Sequence, residues 1–122
     1  KLRERIEKGL RTSATQYSTA QRLRKIYTHD IELLASKWDI LLTPSTHSTA
    51  PKDLTTTGNP WFQSPWTLSG LPTLTIPSGL SPKTNLPLGI QLITKMFNEQ
   101  LLISSGLWCE KILNVQITPP LK

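Results

Sequence analysis

The stretch TGNPWFQSPWTLSGLPTLTIPSGL, which runs from Thr57 to Leu80, decides how this chain of 122 residues folds. Its first half combines glycine, proline and aromatic residues, a composition typical of turns and loops. Its second half contains PTLTIP at residues 72–77, where threonine alternates with Leu and Ile between two prolines. Alternation predicts a short strand, because successive side chains of a strand point to opposite faces. The stretch therefore predicts a rigid segment, rich in proline and aromatic residues, that leads directly into a strand.

Two further segments predict strands. WDILLTP at residues 38–44 is a short apolar run stopped by proline, and it predicts a buried strand that is apolar on both faces, as in a sheet covered by helices on each side. LPLGIQLIT at residues 86–94 predicts another strand, with Gly89 where a bulge or a close backbone approach is expected. Residues 45–65 form a long connection rich in Thr, Ser and Pro, and we expect a connection of this length to be functional or partnered.

Helical patterns occupy the first third of the chain. LRERIEKG at residues 2–9 predicts the tail of a helix closed by Gly9 as its C-cap. Ser13 and Gln16 form a capping-box pattern that predicts the start of a second helix, which should end near Lys37. Apolar residues at intervals of three and four predict its inner stripe: Tyr17, Ala20, Leu23, Tyr27, Ile31, Leu34 and Trp38.

A last helix is predicted to start at Asn98 as its N-cap, with Glu99 in its first turn. Its inner face is predicted to consist of Leu101, Leu102, Ser105, Trp108, Cys109 and Ile112. NVQITPPLK at residues 114–122 predicts a final extended segment. Three apolar strands with so few helices cannot cover both faces of a sheet, so we expect these strands to need neighbours that this chain does not contain.

The charge of the chain is positive and uneven. The formal net charge is +6, and residues 1–37 hold nine Lys or Arg against four Asp or Glu. A solvated helix face explains this pattern better than a nucleic-acid surface, because no aromatic residues interleave with the basic ones. Nucleic-acid binding through residues 1–25 stays a minor alternative, which a steep salt dependence of binding would reveal. We expect no nucleic-acid partner and, without about 20 consecutive apolar residues, no membrane span.

Residues with metal-ligating or nucleophilic side chains are few. Cys109 is the single cysteine, which excludes a disulfide framework, fits a cytoplasmic location and predicts a small buried hydrophobe. The two histidines, His29 and His47, lie far apart without acidic partners at ligand spacing, so we expect no metal and no cofactor. A triad of His47 with Asp39 or Asp53 lacks a nucleophile elbow and is disfavoured.

Three quoted segments carry a resemblance to a known family. WDILLTPSTHSTAP, the opening stretch, and LPLGIQLITKMFNEQLLISSGLWCEKI together resemble the carboxy-terminal part of amidase signature enzymes. The likeness covers nearly all of residues 10–113, and Gly70 to Gln91 is its most specific portion. Thr67 stands where asparagine is common and Ser78 where cysteine is frequent. Neither position is catalytic in the family, so neither departure weakens the resemblance.

The resemblance implies fold, domain and chemistry. It implies an α/β fold, part of an α/β/α sandwich around a large mixed sheet, incomplete in this chain. Residues 1–122 would be one carboxy-terminal segment of an amidase signature domain without an internal boundary, and its first residue, Lys1, fits a piece of a longer protein. Family members hydrolyse amide bonds by a Ser-cisSer-Lys mechanism whose residues lie in the amino-terminal part. The resemblance therefore assigns no catalytic residue here, and Ser104–Gly106 lies mid-helix without a glycine-rich cradle.

The resemblance also bears on substrate and partners. Trp61 and Phe62 would overlook the substrate pocket, and they suit an apolar or aryl amide. In the glutamine-dependent branch of the family, an aspartate holds the ammonium group of glutamine and an arginine holds its carboxylate. The aspartate aligns with Pro60 and the arginine aligns near Arg5. Because proline cannot pair with a cation, the resemblance disfavours glutaminase function. The implied partners are the amino-terminal remainder of the domain and a small-molecule amide, and a homodimer is left open. The alternative is a free-standing, non-catalytic interaction module derived from an amidase.

Overall fold

The computed structural model describes residues 2–118, which form four helices and three strands. Their order matches the sequence prediction except for one additional short helix before the second strand. In chain order the elements are α1 (Leu2–Leu10), α2 (Ala14–Ala35), β1 (Leu41–Pro44), α3 (Ser64–Ser69), β2 (Thr73–Leu80), β3 (Pro87–Ile93) and α4 (Glu99–Leu113). Residues 114–118 are irregular, and the rest of the predicted final segment, residues 119–122, lies outside the described residues.

The three strands form an antiparallel sheet with β3 between β1 and β2. The amide of Ser45 donates to the Gly89 carbonyl at 3.0 Å, and the amide of Thr94 donates to the Pro72 carbonyl at 3.2 Å. These two bonds show which residues form hydrogen-bonded pairs on each side of β3. Because hydrogen-bonded pairs alternate along antiparallel strands, the nitrogens of Pro44 and Pro77 point away from β3. Neither proline therefore removes a ladder hydrogen bond, as expected for proline in edge strands.

Two small hydrophobic clusters lie on opposite faces of the sheet. Ile93 packs with Ala35 and Leu71 on the face covered by α2 and α3. Its neighbour Leu92 packs with Ile76 and Leu102 on the face covered by α4, since adjacent strand residues point to opposite faces. The second half of the central strand β3, residues 91–93, is thereby buried from both sides.

The prediction for residues 38–44 is wrong in two respects. The strand begins at Leu41, and the side chain of Trp38 is 63% exposed. Along β1 half-buried and exposed positions alternate, with Leu42 62% exposed, so β1 is not covered on both faces. The reason is its position at the edge of the sheet, because α4 packs on β2 and β3 and no described layer covers Leu42.

The two glycines that the sequence singled out have different roles. Gly9 lies within α1 and carries no left-handed φ, and the helix continues to Leu10, so its prediction as a C-cap is wrong. Gly89 marks a close approach, since a Cβ there would lie 2.6 Å from the Ser45 hydroxyl oxygen and 3.3 Å from the Ile76 carbonyl oxygen. The bulge itself lies opposite, in β2, where the register shifts between Pro77 and Gly79.

The start of α2 follows the sequence prediction. Gln16 donates its amide to the Ser13 hydroxyl at 3.2 Å, and its side chain accepts the Ser13 amide at 3.0 Å, which completes the capping box. The helix ends at Ala35, two residues before the predicted end. Of the predicted stripe, Tyr27 and Ile31 are half-buried. The other five are exposed in the described chain: Tyr17, Ala20, Leu23, Leu34 and Trp38.

The helix α4 starts where the sequence predicted, with Asn98 at the N-cap position and Glu99 in the first turn, but its cap and inner face differ from the prediction. The Asn98 side chain makes no capping hydrogen bond; it donates to the Thr94 hydroxyl at 3.2 Å instead. Leu102 and Gly106 are the buried residues of the helix, and a Cβ at Gly106 would collide with the side chain of Leu74. Cys109 packs against the hydrophobic cluster that contains Leu102, as predicted for an inner-face residue. Trp108 and Ile112 are each 64% exposed, so their prediction as inner-face residues is wrong.

Candidate functional site

A cavity of about 850 Å³ opens where one end of the sheet meets the connection between β1 and α3. The connection folds back over the sheet, and Thr84 in the β2–β3 turn donates to Thr49 at 3.4 Å. Arg5 reaches the cavity from α1, and Gln63 from the residue before α3. The remaining lining residues lie in the connection and in the strand ends: 45–51, 57–60, 75–77 and 87–89.

Short-range contacts hold the connection after β1 at two points, of which Ser45 lines the cavity. Ser45 is 6% exposed and its amide is bonded to Gly89, so the connection leaves the sheet at a tightly packed point. Further along, the carboxylate of Asp53 accepts hydrogen bonds from the Thr55 amide at 2.8 Å and the Thr55 hydroxyl at 2.5 Å. The side-chain bond first, and the backbone bond second, lower the pKa of the exposed Asp53 carboxyl below its ordinary value.

The two aromatic residues predicted for a substrate pocket lie beside the cavity. Pro60 and Gln63 line it, whereas Trp61 and Phe62 between them do not. Trp61 is 72% exposed. Phe62 is half-buried and its ring stacks on His47, with centroids 6.4 Å apart and planes 21° apart, and His47 lines the cavity. A role of Trp61 and Phe62 in substrate binding stays a prediction.

Gln91 joins this region to the sheet. Its side chain is 2% exposed, and its Nε2 donates to the Phe62 carbonyl at 3.4 Å. Thr43 lies opposite Gln91 in β1, and a second cavity of about 330 Å³ borders Gln91 and Trp66. The Thr43 Oγ1 and the Trp66 Nε1 are buried without a hydrogen-bond partner within residues 2–118. Gln91 ends the most specific portion of the family resemblance, but the sequence analysis gave it no role in the site.

The charge of the larger cavity is positive. Arg5 is cationic, His47 is the other ionisable group, and none of its described lining residues is acidic. Within residues 2–118 no hydrogen bond joins His47 to Asp39 or Asp53, and the Asp53 carboxylate is bonded to Thr55 instead, so the structure does not bring the triad considered from sequence together. Among residues 2–118, no three His, Cys, Asp or Glu side chains cluster as a metal site would require. The cavity can therefore offer hydroxyls, a guanidinium and an imidazole to a polar ligand.

Two serines outside the cavity, Ser104 and Ser69, bond to the backbone of their own helices. Ser104 lies within α4 and its hydroxyl donates to the Gln100 carbonyl at 2.8 Å. Ser69 ends α3 and donates to the Trp66 carbonyl at 3.1 Å. These are ordinary hydrogen bonds of a helical hydroxyl to its own backbone. None of the helices within residues 2–118 is both long and apolar enough to cross a membrane.

An antiparallel sheet with helices on both faces and a polar cavity at one end defines a mixed α/β protein. Residues 2–103 match the family model described as Amidase. The chain therefore belongs to the amidase signature family, and its predicted fold class is confirmed.

Relatives of known name are much longer than this chain. A glutamyl-tRNA(Gln) amidotransferase subunit of Zymomonas mobilis subsp. mobilis is 38% identical over 102 residues, which cover 78% of this chain and 20% of that protein. The 1-carboxybiuret hydrolase subunit AtzE of Pseudomonas sp. (strain ADP) is 27% identical over 119 residues, which cover 84% and 25%. The chain spans a fifth to a quarter of the length of these relatives.

Solved structures of longer proteins also match this chain over part of their length. A protein from a vestigial complex that reveals the origins of an s-triazine catabolic enzyme superposes with a TM-score of 0.79 at 26% identity, over 89% of this chain and 26% of that one. A glutamyl-tRNA(Gln) amidotransferase subunit from Thermotoga maritima superposes with a TM-score of 0.58 at 29% identity, over 82% and 24%. The described residues thus form part of an amidase fold.

Proposed function

We propose that this chain is the carboxy-terminal segment of an amidase that hydrolyses amide bonds. The family match over residues 2–103 carries the proposal, because it is joined to a cavity large enough for a small amide. In this proposal residues 1–122 form one segment without an internal boundary. The segment supplies scaffold and one wall of the substrate pocket, and it acts in the cytoplasm with the amino-terminal remainder as its partner.

The chemistry is proposed to reside elsewhere in the complete enzyme, as a Ser-cisSer-Lys arrangement. Of the described residues that line the cavity, none is a lysine, so its serines lack the base that this mechanism requires. The cavity would instead hold the substrate. Its hydroxyls and the Arg5 guanidinium can bind polar groups, while Phe62 and Trp61 would contact an apolar or aryl substituent at the rim.

The arrangement of Arg5 and Pro60 supports a substrate other than glutamine. Both residues line the same cavity, in agreement with the motif alignment that paired them. Arg5 can bind an anionic group, but Pro60 offers no carboxylate to an ammonium group. A pocket of this composition favours an amide without a free amino group at that position.

The test is to read the encoding locus upstream of Lys1. We expect an in-frame segment of the Gly-Gly-Ser-Ser type preceded by a lysine. A stop codon followed by a start codon directly before Lys1 would count against the proposal. In a second test the purified 122-residue chain is incubated with benzamide, and we expect no ammonia release. Turnover by the chain alone would contradict the proposal that the catalytic residues lie in the amino-terminal part of the enzyme.

A second candidate is a free-standing interaction module derived from an amidase. The exposed outer edge of β2 favours it, because such an edge can bind an extended polypeptide. A cooperative thermal transition of the isolated chain, with no amidase segment encoded upstream, would favour this candidate over the first.

A further inference from the structure

We infer that His47 is a specificity-determining residue of the larger cavity, and that it selects an aryl amide substrate that also carries a carboxylate group. Because it names the substrate class of the cavity to which the proposed function assigns substrate binding, this inference rests on that proposal. Three properties of His47 support it: the imidazole is held at the cavity wall, its nitrogens are available to a ligand, and the surrounding charge is positive.

The imidazole of His47 is held at the cavity wall by its ring contact and by its chain neighbours. It stacks on the Phe62 ring at a centroid distance of 6.4 Å. The Phe62 carbonyl in turn accepts a hydrogen bond from Gln91 Nε2 at 3.4 Å, and Gln91 is 2% exposed in the central strand. A hydrogen bond from the Thr46 hydroxyl to the Ser48 carbonyl at 2.8 Å closes the backbone around His47. The imidazole is therefore positioned before a ligand binds, which lowers the entropy cost of binding.

The ring nitrogens of His47 are available to a ligand. Within residues 2–118 the imidazole makes the ring contact with Phe62 but no hydrogen bond and no ion pair. The residue is exposed, and it lines the cavity. A neutral imidazole offers one N–H donor and one acceptor, whereas the cation offers two donors. Because a carboxylate only accepts hydrogen bonds, the cationic form matches it best, whereas a carboxamide can bind to either form.

The charged groups around the cavity favour an anion. Arg5 is the one described residue of α1 that lines the cavity, and its guanidinium is cationic. None of the other charged residues of the connection or of the β2–β3 turn lines the cavity: Lys52, Asp53 and Lys83. Cationic His47 therefore faces a cavity that contains a second cation and no described carboxylate. A carboxylate bound there would form charge-assisted hydrogen bonds, which are roughly twice as strong as neutral ones.

His47 makes this preference depend on pH. Histidine is the side chain that ordinarily changes charge between about pH 5 and about pH 8, and a carboxyl group stays ionised over that range. At low pH cationic His47 adds to the charge of Arg5, and at high pH Arg5 is the remaining cation of the described lining. The preference for a carboxylate over a carboxamide of the same shape should therefore be greatest at low pH and should decline as His47 loses its proton.

The experiment is an NMR titration of the 122-residue chain with benzoate and, as a neutral ligand of the same shape, with benzamide. At about pH 5.5 we expect a dissociation constant for benzoate about tenfold below that for benzamide, and at about pH 8 a ratio of about threefold or less. Benzoate should shift the imidazole proton signals of His47. Those of His29, an exposed residue of α2 outside the cavity, should not change.

His47→Gln is the test variant, because glutamine keeps hydrogen-bonding groups but cannot become cationic. We expect this variant to bind benzoate with the same affinity at both pH values. His29→Gln is the matched control, and it should keep the pH dependence of the wild-type chain. Benzamide affinity should change by less than about threefold in either variant.

Comparison of the two histidines within the wild-type chain keeps the inference testable if a variant fails to fold. Equal affinities for benzoate and benzamide at about pH 5.5, or no binding of benzoate up to about 50 mM, overturn the inference. Equal shifts of His47 and His29, or a pH dependence that persists in His47→Gln, overturn it as well. None of these results bears on the proposed function, which the upstream locus or turnover of benzamide would contradict instead.

Discussion

Gly106 is the residue at which helix propensity and packing oppose each other most directly. Gly106→Ala should gain about 1 kcal/mol of helix propensity but force the Leu74 side chain out of its place, at a cost of about 1–3 kcal/mol. We expect a net loss of about 1 kcal/mol in the free energy of unfolding, measured by urea denaturation.

Gly9 provides the matched control for Gly106. It also lies within a helix, but no atom lies within 4 Å of a Cβ built there. Gly9→Ala should therefore be stabilising, by about 0.5–1 kcal/mol. Equal shifts for the two variants would contradict the packing of Leu74 on α4.

The Asp53 carboxyl gives a prediction for pH. Because its pKa is lowered in the folded chain, its stabilising contribution is present above the ordinary value of 3.8 and is lost as pH falls through the lowered pKa. Thr55→Val removes the hydroxyl donor and should raise the pKa of Asp53 toward 3.8, as followed by carboxyl ¹³C shifts in NMR. Thr57→Val, two residues along, should leave that pKa unchanged.

At the scale of elements, the capping box of α2 carries a measurable share of stability. Ser13→Ala removes the acceptor for the Gln16 amide and should cost about 1 kcal/mol of unfolding free energy in a urea titration. Ser18→Ala, at an exposed position inside the same helix, should be neutral or stabilising by a few tenths of a kcal/mol. A loss at Ser18 as large as at Ser13 would argue against a specific cap.

The elements that local sequence determines were the ones that sequence predicted well. The Ser13 capping box and the alternation around Ile76 each depend on neighbours within a few residues, and both appear in the structure. The short helix α3 was missed because Pro65 and the surrounding aromatics read as loop, although proline fits a first helical turn. Exposure of Trp108 could not be predicted, because it depends on which layers cover the sheet.

The candidate site was less predictable than the elements. The connection after β1 was singled out by its length, and its residues do line the cavity together with the strand ends. The stacking of Phe62 on His47 and the bond from Gln91 to Phe62 join residues 15 and 29 positions apart. Contacts between distant positions depend on the folded path of the chain, which no local pattern of a single sequence specifies.

At the scale of the whole molecule, the large exposed area makes a prediction about unfolding. An unfolded chain of this mass exposes about 19,900 Å², so folding of this chain buries about a quarter less surface than folding of a compact domain would. Since the denaturant m-value scales with the area exposed on unfolding, we expect a urea m-value about a quarter below that of compact domains of equal length.

An m-value in dilute solution equal to that of compact domains would mean that the free chain folds more compactly than described. Its surplus surface would then be buried in an intramolecular contact, and no amidase remainder would be needed to cover it.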